Sequence, residues 1–376
     1  MVATNKFDLT VQSPGRINLI GEHIDYNGGH VLPAAINLNI TIGFKKKTGS
    51  VCHITSKSTD GFLFNLEEPI KPKSNNHWGN YVIGVIDGIL KLRPNLLSAF
   101  DCEIESNLPI GSGISSSAAL ECGIAFGLNE LFNLDLTDLD RIKIAQKAEH
   151  DFVGTKCGIM DQFAVTMGQK KKLILLNCET LDYQLIPADI NPYKIVLLNT
   201  NVAHNLASSE YNLRREDCEK ALKIIQSHFP EYKHLAEVPL DIIKTLEKEF
   251  DEVVFKRATY VVEEENRTQM ASKVIQNGEL TQFGALMYGS HEGLSKKYEV
   301  SCPELDFLVD YSKNHTSVIG SRMMGGGFGG CTINLIHRDF LDSYVAAVSN
   351  DYKNQFNLSL SPIEVEISNG VSIIEL

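Results

Sequence analysis

The segment Leu108-Pro109-Ile110-Gly111-Ser112-Gly113-Ile114-Ser115-Ser116-Ser117-Ala118-Ala119-Leu120 constrains this chain more than any other. An alternating run, Cys102 to Glu105, precedes it and reads as the end of a strand. An Ala- and Leu-rich run, Ala118 to Phe132, follows it and reads as a helix. Glycines and serines fill the interval, so a strand passes to a helix through a loop with little side-chain bulk. The start of such a helix offers unpaired N–H groups and the positive end of its dipole, which attract anions. Gly111 and Gly113 let a ligand approach the backbone. The serine hydroxyls can cap the helix, bind phosphate oxygens or reach a metal. No Gly-Lys-Ser/Thr follows, which excludes a Walker A loop, and Ser116 stands where a dinucleotide fingerprint needs its third glycine. A plain Ser-capped helix after a glycine turn remains the alternative.

The rest of the composition limits what that anion could be. The 376 residues carry a formal net charge of -12, with the acidic excess spread along the chain. A nucleic-acid binder needs a basic face, so that class is excluded, whereas a nucleotide met by a local site is not. Eight cysteines lie scattered with no Cys-x-x-Cys pair, which argues against zinc and thioredoxin-type chemistry. No apolar run approaches 18 residues, and the first fifteen residues lack the apolar core of a signal peptide. A soluble, cytoplasmic protein is the expectation.

Taken in order, residues 7–12 read as a strand that turns at Ser13-Pro14-Gly15-Arg16, and 37–45, 51–55 and 61–66 as further strands. A helix is expected over 81–92. Another is expected over 137–152, opened by a capping-box-like pair Thr137 and Asp140, and a short one at 159–167. Strands are expected at 172–178, 181–186 and 194–200. Helices then follow over 207–227, 240–248, 251–276 and 279–298, with a weaker one at 306–312. Residues 319–336 read strand, glycine loop, strand, and a helix near 339–353 with strands near 363–367 and 371–374 closes the chain. Strands and helices mix in both halves, which gives an α+β protein of two lobes, 1–185 and 186–376.

Three further features bear on chemistry. Gly325-Gly326-Gly327-Phe328-Gly329-Gly330 places five glycines in six positions, each costing roughly 0.5–1 kcal/mol in a regular element. Such a backbone must come very near a ligand or form a bulge or tight hairpin; the number of glycines exceeds one turn and favours the ligand. Asp161 lies among Ile159, Met160 and Phe163, where a carboxylate is paired or functional. Arg16 follows Pro-Gly and precedes Ile17, Leu19 and Ile20, which suggests partial burial beside a partner.

Together these segments resemble the GHMP small-molecule kinases, over about residue 8 to the C-terminus and in the right order. Pro14-Gly15-Arg16-Ile17-Asn18-Leu19-Ile20-Gly21-Glu22-His23-Ile24-Asp25-Tyr26-Asn27-Gly28-Gly29 looks like the signature of the branch that phosphorylates galactose. Leu108 to Leu120 is similar to the family's phosphate loop, with Ala119 where many members have Ser. Cys157 to Phe163 resembles the segment of the catalytic aspartate, Ser208-Ser209-Glu210-Tyr211 one with a sugar-contacting tyrosine, and Gly325 to Cys331 the third motif. The resemblance implies a lobe like ribosomal protein S5 domain 2 followed by a ferredoxin-like lobe, with MgATP and sugar meeting between them. It implies phosphorylation of the anomeric hydroxyl of galactose to galactose 1-phosphate, the first committed step of galactose catabolism. By the same resemblance Asp161 is the base and Arg16 its partner, Glu22, His23, Asp25 and Tyr211 ring the sugar, and Gly111, Ser112, Gly113, Ile114, Ser115, Ser116 and Ser117 cradle the ATP phosphates. Ser117 and Glu149 hold Mg²⁺, and a monomer is expected. A kinase for N-acetylgalactosamine, arabinose or galacturonate, or a non-catalytic sugar and ATP sensor, are the alternatives.

Overall fold

The computed structural model describes residues 6–74, 77–109, 111–202 and 207–374, without the side chains of Ala207 and Ser208. Ile110 of the phosphate loop therefore lies outside the described residues, as does the Ser208 side chain. The first half of the chain runs β1 (Leu9–Asn18), β2 (His30–Val31), β3 (Pro33–Lys46), β4 (Val51–Ser56), β5 (Phe62–Asn65), α1 (Gly79–Leu92), β6 (Phe100–Ser106), α2 (Ser116–Phe132), α3 (Asp138–Ala148), α4 (Met160–Met167), β7 (Lys172–Asn177) and β8 (Tyr183–Pro187). The second runs β9 (Tyr193–Asn199), α5 (Ala207–His228), α6 (Leu240–Thr245), α7 (Glu252–Gln276), α8 (Leu280–Gly293), α9 (Pro303–Lys313), β10 (Val318–Met324), β11 (Cys331–His337), α10 (Leu341–Phe356), β12 (Ser361–Val365) and β13 (Ser372–Ile373).

Among the described residues three sheets organise these elements. One has the order β13-β1-β3-β6-β4-β5, with β4 and β6 parallel and the other pairs antiparallel. Its apolar face, with Val11, Ile42, Phe44 and Phe100, packs under α2, which also touches α1 and α3. The second, β10-β11-β9-β12, is wholly antiparallel. In chain order its strands and helices run β9, helices, β10, β11, helix, β12, which is the ferredoxin-like arrangement. The third is the small sheet β2-β7-β8. Among the described residues no helix is long and apolar enough to cross a membrane.

The expected α+β class holds, and three local expectations need correcting. The chain does not turn at Ser13-Pro14-Gly15-Arg16: β1 continues to Asn18, with its register to β3 shifting between Pro14 and Arg16. A bulge there accommodates the proline, which has no N–H to give a ladder, and it leaves the Arg16 N–H free to donate to the Ile114 carbonyl, 3.1 Å away. The helix expected over 137–152 stays α-helical only to Ala148 and ends in a π turn, Glu149–Val153. Its start is as expected: Thr137 and Asp140 exchange the two hydrogen bonds of a capping box. The helix expected over 279–298 likewise closes in a π turn, Leu294–Tyr298.

Candidate functional site

The bulge in β1 aims Arg16 at the loop before α2 and at the first turn of α4. Its guanidinium grips Asp161 in a fork, Nε to Oδ1 at 2.7 Å and Nη2 to Oδ2 at 2.8 Å, while Nη1 donates to the Gly113 carbonyl at 2.6 Å. The Ser115 hydroxyl donates to the same Oδ2. Arg16 is 5% exposed. Burial alone would lower its pKa, but Asp161 and, more weakly, Glu22 and Asp25 outweigh it and hold the pKa above the ordinary value.

A cavity of about 130 Å³ opens beside this fork. Its wall includes Arg16, Glu22, His23, Asp25, Asp161 and Tyr211, closed by Gly158 and Gly326. That is room for one small polar molecule and not for a nucleotide. Asp25 sits 9% exposed on this wall. Burial pushes its carboxyl up to about 7, helped by the negative charge of Asp161 and Glu22. It fits only because residue 158 is glycine: a Cβ there would lie 1.8 Å from Asp25 Oδ2.

Glu22 and His23 are held by the protein as much as they face the cavity. Glu22 Oε1 accepts from Arg322 Nη2 at 2.8 Å and from the Gly325 N–H at 2.9 Å. Arg322 is fully buried and also donates to the carbonyls of Asn18, Leu19 and Met323. Burial would raise the Glu22 pKa, but Arg322 and Arg16 hold it below the ordinary range. His23 has both ring nitrogens engaged, Nδ1 with the Tyr26 hydroxyl at 2.8 Å and Nε2 with the Gly326 carbonyl at 3.2 Å. Burial drives its pKa down to about 4, so it is neutral, with the Nε2–H donating to the carbonyl. Both nitrogens being engaged, and the rings of Tyr211 and Tyr298 lying 5.1 and 5.0 Å from its own, His23 reaches the cavity through ring carbons.

The loop from Gly111 to Ser117 lies on the other side of Arg16. Ser115 precedes α2 in a left-handed conformation and makes no capping bond, its hydroxyl being given to Asp161. Ser112 is buried and donates to the Pro109 carbonyl at 2.7 Å, and Ile114 is buried in the core. Thus neither the Ser112 nor the Ser115 hydroxyl is free for phosphate, which leaves the backbone N–H groups, Ser116 and Ser117 as the groups of this loop that could meet an anion. The second glycine segment is the hairpin between β10 and β11, and its close approaches are to protein backbone. A Cβ at Gly325 would lie 3.3 Å from the Gly113 carbonyl oxygen, and one at Gly327 would lie 2.1 Å from that of Val300. The glycines therefore serve first to lay the hairpin against the phosphate loop, with Gly325 and Gly326 also lining the cavity.

Glu149 stands in the π turn after α3, 8% exposed, with Gln162 Nε2 donating to its Oε2 at 3.1 Å. Burial and the charge of Asp161 push its carboxyl up to about 7, while the adjacent Ser117 and Cys157 side chains draw it down. Nearby, Glu121 Oε1 and Gln162 Oε1 are buried without a partner among the described residues. Two buried carboxyl groups, both pushed up by burial, and an unsatisfied amide oxygen beside a hydroxyl suit a hard divalent cation, which would favour the ionised form. Among the described residues no group of three or more His, Cys, Asp and Glu side chains could hold a metal by itself. The donor set therefore suits Mg²⁺ that shares its ligands with nucleotide phosphates, with Ser117 and Glu149 the side chains that would hold it.

Comparison with known proteins agrees with this geometry. The GHMP kinases N terminal domain matches residues 80–169, the GHMP kinases C terminal domain residues 271–354, and the galactokinase galactose-binding signature residues 3–46. Together they span more than half of the chain. The galactokinase of Clostridium tetani is 45% identical over 346 residues, 90% of this chain and 87% of that protein. That of Thermosipho africanus is 38% identical over 373 residues, 98% of this chain and all of that protein. The chain belongs to the galactokinase family. The crystal structure of Lactococcus lactis galactokinase complexed with galactose superposes with a TM-score of 0.94 at 36% identity, covering 97% of this chain and 94% of that one. A mevalonate kinase at 20% identity and a TM-score of 0.66 shares the GHMP fold.

Within this family frame the structure brings Arg16, Glu22, His23, Asp25, Asp161 and Tyr211 to one cavity, with Glu149 at its margin and the serine loop beside it. Arg322, Gly158 and Gln162 escaped the sequence reading. A lone Arg in the apolar strand Val318–Met324 was the available signal for the first. Gly158 and Gln162 lay inside the quoted aspartate segment, but nothing local says what they face.

Proposed function

We propose that the chain transfers the γ-phosphoryl group of MgATP to the anomeric hydroxyl of galactose, giving galactose 1-phosphate and ADP. The observation that carries this is the Arg16–Asp161 fork between a small cavity with charged side chains on its wall and the serine loop. Phosphoryl transfer asks for positioning and charge stabilisation more than covalent chemistry. Galactose occupies the cavity and ATP lies along Gly111 to Ser117, so that the sugar hydroxyl and the γ-phosphate meet over the fork. Three of the five guanidinium N–H groups of Arg16 are engaged with Asp161 and Gly113, which leaves two to meet phosphate oxygens. Asp161 receives the hydroxyl proton on a carboxylate oxygen. Late proton transfer suits a loose transition state, in which the nucleophile needs little activation. Asp25 and Tyr211 read the sugar hydroxyls, and Glu22, fixed by Arg322, shapes the cavity from below. Bound Mg²⁺ supplies neutralisation of the phosphate charge; Ser117 and Glu149 hold it.

The proposal extends to a monomer working in the cytoplasm. All eight cysteines are free, as a reducing compartment keeps them. Light scattering of the purified protein checks the oligomeric state. A coupled assay of ADP release with galactose, glucose, N-acetylgalactosamine, arabinose and galacturonate tests the activity. Galactose should be turned over far faster than the others. Absence of galactose-dependent ADP release with bound sugar would instead identify a sensor.

A further inference from the structure

Gln162 follows the proposed base directly on α4, and at 3.6 residues per turn its side chain leaves the helix about 100° away from that of Asp161. Asp161 turns to Arg16 and the cavity; Gln162 turns to α2 and the π turn. It is fully buried. Its Nε2 donates to Glu149 Oε2 at 3.1 Å and reaches Glu121 Oε2 at 3.4 Å. Cys157 Sγ, a weak donor, reaches the same Glu149 oxygen at 3.6 Å. Glu121 is fully buried too, on α2, and both its Oε1 and that of Gln162 lack partners among the described residues.

Two buried carboxylates thus share one amide. An Arg or Lys in this position would form an ion pair with Glu149 and repel an arriving cation. A neutral amide fixes the carboxyl group without an ion pair, so its oxygens stay available to a cation. The π turn fixes the Glu149 backbone, whose N–H donates to Ala145 and Gln146 and whose carbonyl accepts from Gly154 and Thr155, but it does not by itself orient the carboxylate. Side-chain bonds do that, from Ser117, from Cys157 and, at 3.1 Å, from the amide of Gln162, which comes from a different helix. We infer that Gln162 is a positioning residue for Glu149, holding the carboxylate in place to receive Mg²⁺ with the nucleotide; the inference rests on the reading of Glu149 as the metal-holding carboxylate. The first turn of α4 in this way presents the proton acceptor on one side and the brace of the metal-holding carboxylate on the other.

The test uses Mn²⁺, another hard, oxygen-seeking cation, as a spectroscopic probe. Its binding to the full chain in the presence of ADP is followed by electron paramagnetic resonance for wild type, Gln162→Met, Gln162→Asn and Glu149→Gln. Gln162→Met removes the donor at similar volume. Gln162→Asn keeps the polarity but draws the amide back by one methylene, and it decides the matter if the Met variant does not fold. Loss of a partner that orients a metal ligand weakens binding by about 10- to 100-fold. The Gln162 variants should therefore bind Mn²⁺ at least about tenfold more weakly, and the Mg²⁺ concentration for half-maximal rate should rise with it. The KM for galactose should stay within about twofold, because Asp161 and the cavity are untouched. Wild-type Mn²⁺ affinity in folded Gln162 variants, with Glu149→Gln impaired, overturns the role of Gln162 alone. Wild-type affinity in Glu149→Gln removes the reading of Glu149 and the inference with it. Equal losses of Mn²⁺ and galactose binding would mean that α4 has shifted as a whole, which also overturns the inference.

Discussion

Substituting Gly158 by Ala tests the sugar site through a residue that need not touch the sugar. The glycine is not in a left-handed conformation, so alanine is compatible with the backbone and could even stabilise by about 0.4–1 kcal/mol in open space. The space is not open. The added Cβ would lie 1.8 Å from Asp25 Oδ2, 2.2 Å from its Cγ and 2.9 Å from its Cβ, these being the three nearest atoms. A carbon–oxygen contact needs more than 3 Å, so the carboxylate must swing away by over 1 Å. Aspartate has too short a stem to do so and keep its place on the cavity wall. Assayed about one pH unit above the carboxyl's value of about 7, Asp25 is ionised, and a hydrogen bond to a charged acceptor is worth about 1.5–3 kcal/mol. Losing it should lower kcat/KM for galactose by about 10- to 150-fold, at 1.36 kcal/mol per factor of ten. The KM for ATP should stay near wild type, because no atom of the 111–117 loop is among the three nearest to the new methyl. Steady-state kinetics with each substrate varied in turn, alongside a melting curve, decides the matter. A kcat/KM for galactose within threefold of wild type in a folded variant would refute the placement of Asp25 as a sugar acceptor.

Asp161→Asn should lower kcat by about 10² to 10⁴-fold while leaving sugar binding largely intact, as loss of a general base does; titration calorimetry with galactose beside kinetics checks both halves. Arg16→Lys should be severely impaired, since an ammonium cannot span both Asp161 oxygens and the Gly113 carbonyl; near-normal kcat would reduce Arg16 to a distant charge. Arg322→Met strands the buried Glu22 carboxylate and should cost about 3–5 kcal/mol of stability, read by urea unfolding. Asp25 titrates near 3.8 in an unfolded chain and about 7 when folded. Between those values the folded protein keeps a proton that the unfolded chain has released, so stability falls as pH rises from about 4 to about 7. Asp25→Asn should flatten that part of the melting-temperature profile, and parallel profiles for the two proteins would contradict the buried state of the carboxyl.

What the sequence reveals about such a chain depends on the range of the interaction. Thr137 and Asp140 placed a helix start correctly because a capping box is complete within four residues. The β10–β11 hairpin was visible for the same reason, from apolar runs flanking a glycine cluster. Why those glycines are needed was not visible: Gly325 answers to Gly113 and Gly327 to Val300, both distant or unmarked in the sequence. Pro14 misled, since proline usually ends a strand, and only the pairing with β3 shows a bulge. His23 was legible as a site residue, but its tautomer depends on Tyr26 and on the Gly326 carbonyl, one three residues away and the other 303.

The pairing of Glu22 with Arg322 also sets the order in which the protein can be finished. The two partners are separated by 300 residues of chain. At about 5–20 residues per second of synthesis, roughly 15 to 60 seconds pass between them leaving the ribosome. Through that interval the Glu22 carboxylate lacks both of its hydrogen-bond donors, Arg322 and the Gly325 N–H, and burying it with Arg16 as its nearby cation but no donor is costly. The segment that bears Glu22, His23 and Asp25 must therefore stay hydrated while the sheet around β3 and β6 can already form. The sugar pocket, although written near the start of the chain, is among the last parts to set.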